Sequence, residues 1–171
     1  MHIILQMLIV KDSMVLIHLT KITLLEKSCD YFVNVIIPSL VKEEVVKKVQ
    51  PDSAVINELI SKKKIKIKNV KNIHFINKVN EVNIFGGEAE VVALYWQENA
   101  DYMATDDDNV RKRGLLLNLK IIGTPSIMFS LYKKGIINKE KIIKSINGLR
   151  EIGWFSNIVL DKIMIEVNHE Y

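Results

Sequence analysis

The stretch Tyr102-Met103-Ala104-Thr105-Asp106-Asp107-Asp108 places the tightest limit on what this chain can become. The apolar run Tyr102 to Ala104 reads as a short buried strand, and three carboxylates follow almost at once. A short apolar run that ends abruptly in charge is how a central strand of a parallel sheet looks where its carboxyl end opens into a site. Adjacent like charges cost stability unless they are solvated, paired or offset by a cation. Turn chemistry offers a plainer account, since Asp is favoured at helix N-caps. The choice between the two rests on acids elsewhere in the chain.

Taken in order, the chain alternates buried strands with amphipathic helices. Ile3 to Val10 is apolar and ends at Lys11-Asp12-Ser13, so Asp12 leaves the carboxyl end of a first strand. Ser13 is expected to cap a helix whose inward residues are Leu16, Ile17, Leu19 and Ile22. Thr23 and Glu26 have capping-box spacing for a second short helix. Asn34 to Ile37 reads as a second strand, closed by Pro38. Val41, Val45 and Val49 then mark the inward stripe of a helix, with Glu44 at its edge and Glu43 turned further away. Pro51-Asp52 breaks the chain ahead of a helix through Val55, Ile56, Leu59 and Ile60.

Lys64-Ile65-Lys66-Ile67-Lys68 has a period of two and one basic face, the pattern of a strand near a sheet edge. Lysines there guard against edge pairing or, alternatively, contact phosphate. Residues 72–85 are weakly patterned. Gly86-Gly87-Glu88 starts a helix through Gln97, with Glu88 in the first turn where the helix dipole favours a carboxylate. No phosphate-loop glycine pattern is present. After the acidic stretch come a basic helix, Asn109 to Leu117, and a strand, Leu119 to Ile122. Three more helices follow, opened by Thr124-Pro125, Asn138 and Ser156, with Gly135 and Gly153 as stops. The alternation argues for a single α/β domain over residues 1–171 with three to five parallel strands flanked by helices.

Bulk properties narrow the classes. The chain has 171 residues and a net charge of +4, mildly basic, which favours a polyanionic partner without establishing one. Its single cysteine, Cys29, excludes an internal disulfide and makes a cytoplasmic setting the expectation. The four histidines are scattered in sequence and show no zinc spacing. No apolar run approaches the length of a membrane span, and the apolar N-terminal run reads as a strand, not a signal peptide.

In open parallel sheets, sites form at the carboxyl ends of strands. Asp12 and the pair Asp106/Asp107 occupy such ends, and Glu44 and Glu88 lie on helices that follow strands. Carboxylates with no imidazole or thiolate among them are a hard-oxygen set, which selects Mg²⁺ or Mn²⁺ over zinc. Such a site activates water and offsets charge building on a phosphate.

Several segments together resemble the PIN-domain group of ribonucleases, which includes the VapC toxins, and within it a branch with a Gly-Glu-Ala-Glu helix start. They are Val10 to Ile22; Val35-Ile36-Ile37-Pro38 with Val41 and Glu43-Glu44-Val45; Gly87-Glu88-Ala89-Glu90; Ala100-Asp101 through Thr105-Asp106-Asp107; Gly123-Thr124; and the tail from Gly135 to Val167 with Gly153-Trp154-Phe155. The resemblance implies a three-layer α/β/α sandwich around a central parallel sheet and Mg²⁺- or Mn²⁺-dependent cleavage of RNA. It implies Asp12, Glu44, Glu88 and Asp107 as catalytic acids, with Asp12, Glu88, Asp106 and Asp107 as metal candidates. Ser13 and Thr105 would orient carboxylates or water. Glu88 stands where many relatives have Asp, and Met14 where they have Ser or Asn. A toxin role implies an antitoxin partner, and relatives often form homodimers. Two other readings compete: a non-catalytic PIN-like module binding RNA or protein, which Met14 favours, and a receiver-type aspartyl-phosphate domain. The latter wants a lysine beyond the last strand, whereas Lys120 falls inside it.

Overall fold

A computed structural model describes residues 6–47 and 51–169. Five strands, β1 (Leu8–Lys11), β2 (Asn34–Pro38), β3 (Ile65–Lys68), β4 (Tyr102–Ala104) and β5 (Ile121–Ile122), form one sheet in the order β3-β2-β1-β4-β5. Every pairing is parallel. The lysine-striped β3 is an edge strand, as its period predicts. Its charges are largely paired: Lys64 donates to Glu26 and Asp30, and Lys68 to Glu98, which favours the edge-guarding account of the stripe.

From β1 the chain winds outward through β2 to β3, then returns to the other side of β1 for β4 and β5. Right-handed crossovers put the connections of the two halves on opposite faces. Helices α1 (Ser13–Lys21), α2 (Leu25–Phe32), α3 (Ser39–Lys47) and α4 (Pro51–Ser61) serve the first half. Helices α5 (Ile73–Asn80) and α6 (Gly86–Gln97) cross back, and α6 packs on β1, β2 and β4. Then come α7 (Asp108–Gly114), α8 (Thr124–Lys133), α9 (Lys139–Ile152) and α10 (Asn157–His169), with α8 against α1 and α2. The result is the three-layer α/β/α sandwich expected. Because helices cover both faces, Ile9, Val10, Ile36, Ile37, Met103 and Ala104 are all buried without alternation.

Several local expectations are corrected. Among the described residues β1 begins at Leu8, and it includes Lys11; Met1 to Leu5 and Val49 lie outside the described residues. Asp12, not Ser13, caps α1. The capping box at Thr23 and Glu26 does not form: Leu24 precedes α2 without a side-chain cap, and the Thr23 hydroxyl instead accepts from Lys141. Among the described residues α4 already includes Pro51 and Asp52, so the helix is not preceded by a break at these two residues. Thr124 opens α8, but its side chain turns to Asp106.

Lys11 is the least expected core residue. Its fully buried ammonium donates to Ser28 Oγ at 2.5 Å and lies 5.6 Å from the centre of the Phe32 ring. Burial pulls its pKa below the usual lysine range. A depressed lysine binds its proton more weakly folded than unfolded, so folding stability should rise as pH climbs through the folded pKa toward 10.5. Lys11→Met fills similar volume without a charge. It should keep or raise stability at neutral pH by about 1–3 kcal/mol and remove the alkaline rise, as read by urea unfolding at several pH values. A loss of several kcal/mol would mean that the Ser28 and Phe32 contacts outweigh desolvation.

Candidate active site

The sheet order reverses between β1 and β4, and the ends of these two strands lie side by side. Lys11 pairs with Ala104 in register, and the Asp12 N–H donates to the Ala104 carbonyl at 3.0 Å. Asp12 and Thr105 are thereby set next to each other at the carboxyl edge, the crevice where open α/β sheets bind ligands.

Both acids singled out at strand ends are helix caps. Asp12 Oδ1 accepts from the Val15 N–H at 2.8 Å, and Asp107 Oδ1 accepts from the Val110 N–H at 2.8 Å. The Thr105 hydroxyl links them, donating to the Asp12 carboxylate and accepting from the Asp107 N–H at 3.1 Å. Ser13, the first residue of α1, makes no such side-chain bond among the described residues. Met14 beside it is half-buried.

Glu88 enters from the first turn of α6 and is half-buried. Glu44 enters from α3 with its side chain exposed, while Glu43 points away toward Lys47, 3.8 Å distant. Gly87 explains how Glu44 reaches the site. A Cβ at that position would stand 2.5 Å from Glu44 Oε1, so the glycine leaves room for the carboxylate to rest on the start of α6.

The electrostatics tie these residues together. Burial, above all, pushes the Asp12 carboxyl up to about 7; the Thr105 and Val15 hydrogen bonds oppose the rise, and the charges of Asp106 and Glu88 add to it. Burial also raises Glu88, with Asp107 and Glu44 adding repulsion. Acids just beyond β1 and β4 and on α3 and α6 therefore act on one another electrostatically at this edge of the sheet. They do not form a tight ligand cluster: among the described residues, no three His, Cys, Asp or Glu side chains stand close enough to hold a metal ion. Mutual repulsion favours that spacing, and the capping bonds of Asp12 and Asp107 and the Glu44–Gly87 contact fix each side chain separately.

Asp106 faces a different way from its neighbour. Its Oδ1 accepts from the Thr124 N–H at 2.7 Å, and its Oδ2 accepts from the Thr124 hydroxyl at 2.5 Å and from His18 Nδ1 at 2.7 Å. The side chain is 1 % exposed. It fastens α1 and α8 to the end of β4, with both oxygens engaged. The expectation of an acid site free of imidazole is corrected here, since His18 is buried against it, edge-on to Phe155 at 5.0 Å. The Trp154 indole N–H donates to the Asp106 carbonyl at 2.9 Å. Sequence reasoning misses His18, Thr124 and Trp154 in these roles. The available signals are the position of His18 on the helix capped by Asp12 and an aromatic pair directly after the Gly153 stop.

A family model described as a PIN domain matches residues 8–169. Searches among curated proteins and among solved structures returned no match. The matched span takes in all five strands and every acid described above, and the fold is the one the family implies. The chain belongs to the PIN-domain family.

Proposed function

We propose that the chain is a divalent-metal-dependent endoribonuclease that hydrolyses RNA phosphodiester bonds with Asp12, Glu44, Glu88 and Asp107. The observation that supports this most is the meeting of four acids from separate elements at the reversal of strand order, where burial and repulsion hold Asp12 near 7. Such a site favours a cation electrostatically, and its donors are hard oxygens, matched to Mg²⁺ or Mn²⁺. The donor chemistry therefore fits the metal that the family implies. Asp12, Glu88 and Asp107, which stand too far apart as placed to hold an ion, would have to draw together around it, and it would supply Lewis acidity and an acidified water. Glu44, supported by Gly87, adds negative charge beside Glu88. Thr105 keeps Asp12 and Asp107 in orientation, and Asp106 anchors the loop that carries Asp107 instead of serving as a ligand.

The same reading makes the chain the toxin of a toxin–antitoxin pair. The antitoxin would lay an Arg or Lys side chain across the acidic groove to meet its carboxylates in charge-assisted bonds. A homodimer and a cytoplasmic setting belong to this proposal. No described helix is long and apolar enough to cross a membrane. A second reading, a non-catalytic PIN-like module, is favoured by one observation: Met14, beside Asp12, offers a thioether where a hydrogen-bonding side chain would support the acid.

Asp12→Asn and Asp107→Asn keep a capping oxygen and should fold, yet each should lower Mn²⁺-dependent RNA cleavage at least ~100-fold. Gly87→Ala should displace the Glu44 carboxylate and reduce cleavage about tenfold, while Glu43→Gln should leave it unchanged. Equal cleavage by wild type and Asp12→Asn would assign the activity to a contaminant.

The pH dependence of the metal-free protein provides a separate check. Asp12 has a folded pKa above its unfolded one, so its contribution to stability is complete below about pH 4 and is lost as pH rises through about 7. In chelator, thermal stability should therefore fall between about pH 4 and about pH 7, and Asp12→Asn should flatten that fall by a few kcal/mol. Excess Mn²⁺ at pH 8 should restore stability to wild type but not to Asp12→Asn. No Mn²⁺-dependent shift in the wild type would favour the non-catalytic module.

A further inference from the structure

Helix α9 returns the chain to the acidic edge of the sheet, and its Gly153 stop delivers Trp154 and Phe155 beside Asp106. The two aromatic side chains differ in their surroundings. Phe155 packs on buried His18, whereas Trp154 is 52 % exposed. An exposed indole alone means little. Here its polar end is pinned to the backbone carbonyl of the residue preceding Asp107, so its orientation is set by the same loop that carries a catalytic acid. With Phe155 it walls a cleft of about 160 Å³ whose rim also carries Arg111, Ser126 and Ser156. A cavity of about 150 Å³ accepts one benzene-sized ring.

Arg111 supplies the charge. It projects from α7 on the exposed side, and its only hydrogen bond among the described residues is a long one, 3.4 Å, to the Thr105 carbonyl; it makes no ion pair among them. Gly123 keeps space for it, because a Cβ there would stand 2.8 Å from Arg111 Nη1 and 2.9 Å from Asp106 Oδ1. A planar aromatic face, a ring-sized cleft and an unpaired guanidinium within one loop of the acids form a combination suited to single-stranded nucleic acid, in which bases stack on aromatic rings and Arg meets phosphate. Asp108 on the same rim opposes phosphate, which leaves Arg111 as the group that determines where the backbone passes.

We propose that the Trp154 cleft is a substrate subsite that stacks one nucleobase of single-stranded RNA, with Arg111 contacting an adjoining phosphate. The inference builds on the ribonuclease reading but is tested without catalysis. A Trp96→Phe protein leaves Trp154 as the sole tryptophan, and its fluorescence is followed in chelator during titration with a short oligouridylate and with an abasic oligomer of equal length and charge. The base-bearing oligomer should quench Trp154 and bind about tenfold more tightly than the abasic one. Trp154→Ala, followed by fluorescence anisotropy of labelled oligouridylate, should lower affinity about tenfold. Trp154→Phe should recover most of it, and Arg111→Gln should weaken both oligomers alike and flatten the salt dependence. Absence of quenching, equal binding of the two oligomers, or quenching by an aromatic peptide but not by RNA would overturn the subsite. If Trp154→Ala fails to fold, the quenching titration and Trp154→Phe still decide. A protein that quenches on RNA yet never cleaves with Mn²⁺ loses the nuclease reading and keeps the subsite; one that cleaves without quenching does the reverse.

Discussion

The parallel pairing of β1 with β4 is the contact on which the rest of the site depends. These strands come from opposite halves of a doubly wound sheet, so the strand order reverses between them and their carboxyl ends lie side by side. Asp12 and Thr105 emerge there in register, and the Thr105 hydroxyl carries the registration on to Asp107. A one-residue slip in this pairing would swap the faces on which Ile9 and Val10 pack and would separate Asp12 from Thr105. Core packing on β1 and β4 thus holds the polar geometry, and little in the acids themselves would bring them together, since they repel.

Capping and the proposed chemistry share the same carboxylates. Asp12 and Asp107 each satisfy a backbone N–H at a helix start with Oδ1, which fixes the side chain and places it at the positive end of a helix dipole. That bond stabilises the ionised form, while burial and neighbouring charge oppose it; at Asp12 the opposition wins, and the carboxyl rises to about 7. The N-cap account of the acidic stretch is therefore compatible with the proposed functional one. An Asp that only capped a helix would normally stay exposed, whereas Asp12 is 3 % exposed with acids around it.

Elements with strong periodicity are readable from sequence alone: the β3 stripe, the Asn138 and Gly153 bounds of α9, and the Tyr102–Ala104 strand all stand where the pattern places them. The failures occur where one residue type serves two kinds of partner. Thr23 and Thr124 have cap spacing, but distant groups, Lys141 and Asp106, compete for their hydroxyls, and such tertiary partners leave no trace in local spacing. Lys11 reads as the polar end of a strand, yet a helix covers that end and buries it. At the site, the acids at strand ends can be found by position. Which of Asp106 and Asp107 faces the cleft cannot, because the backbone turn after Thr105 decides it.

That turn divides the labour between two adjacent acids, and the division has a physical basis. A buried carboxylate needs its oxygens satisfied, and Asp106 obtains an amide, a hydroxyl and an imidazole from α8 and α1. It thereby ties two elements, α1 and α8, to the end of β4 and leaves Asp107, half-buried with a single capping bond, to face solvent and Glu88. The Asp106 carbonyl in turn receives Trp154 from the far side of the chain. One residue thus joins the acidic cleft to the aromatic cleft, so a change at Asp106 that freed either contact would shift Asp107 and Trp154 together. Activity lost on altering Asp106 would then reflect displaced neighbours as readily as a missing ligand, and metal affinity measured beside Trp154 fluorescence would separate the two.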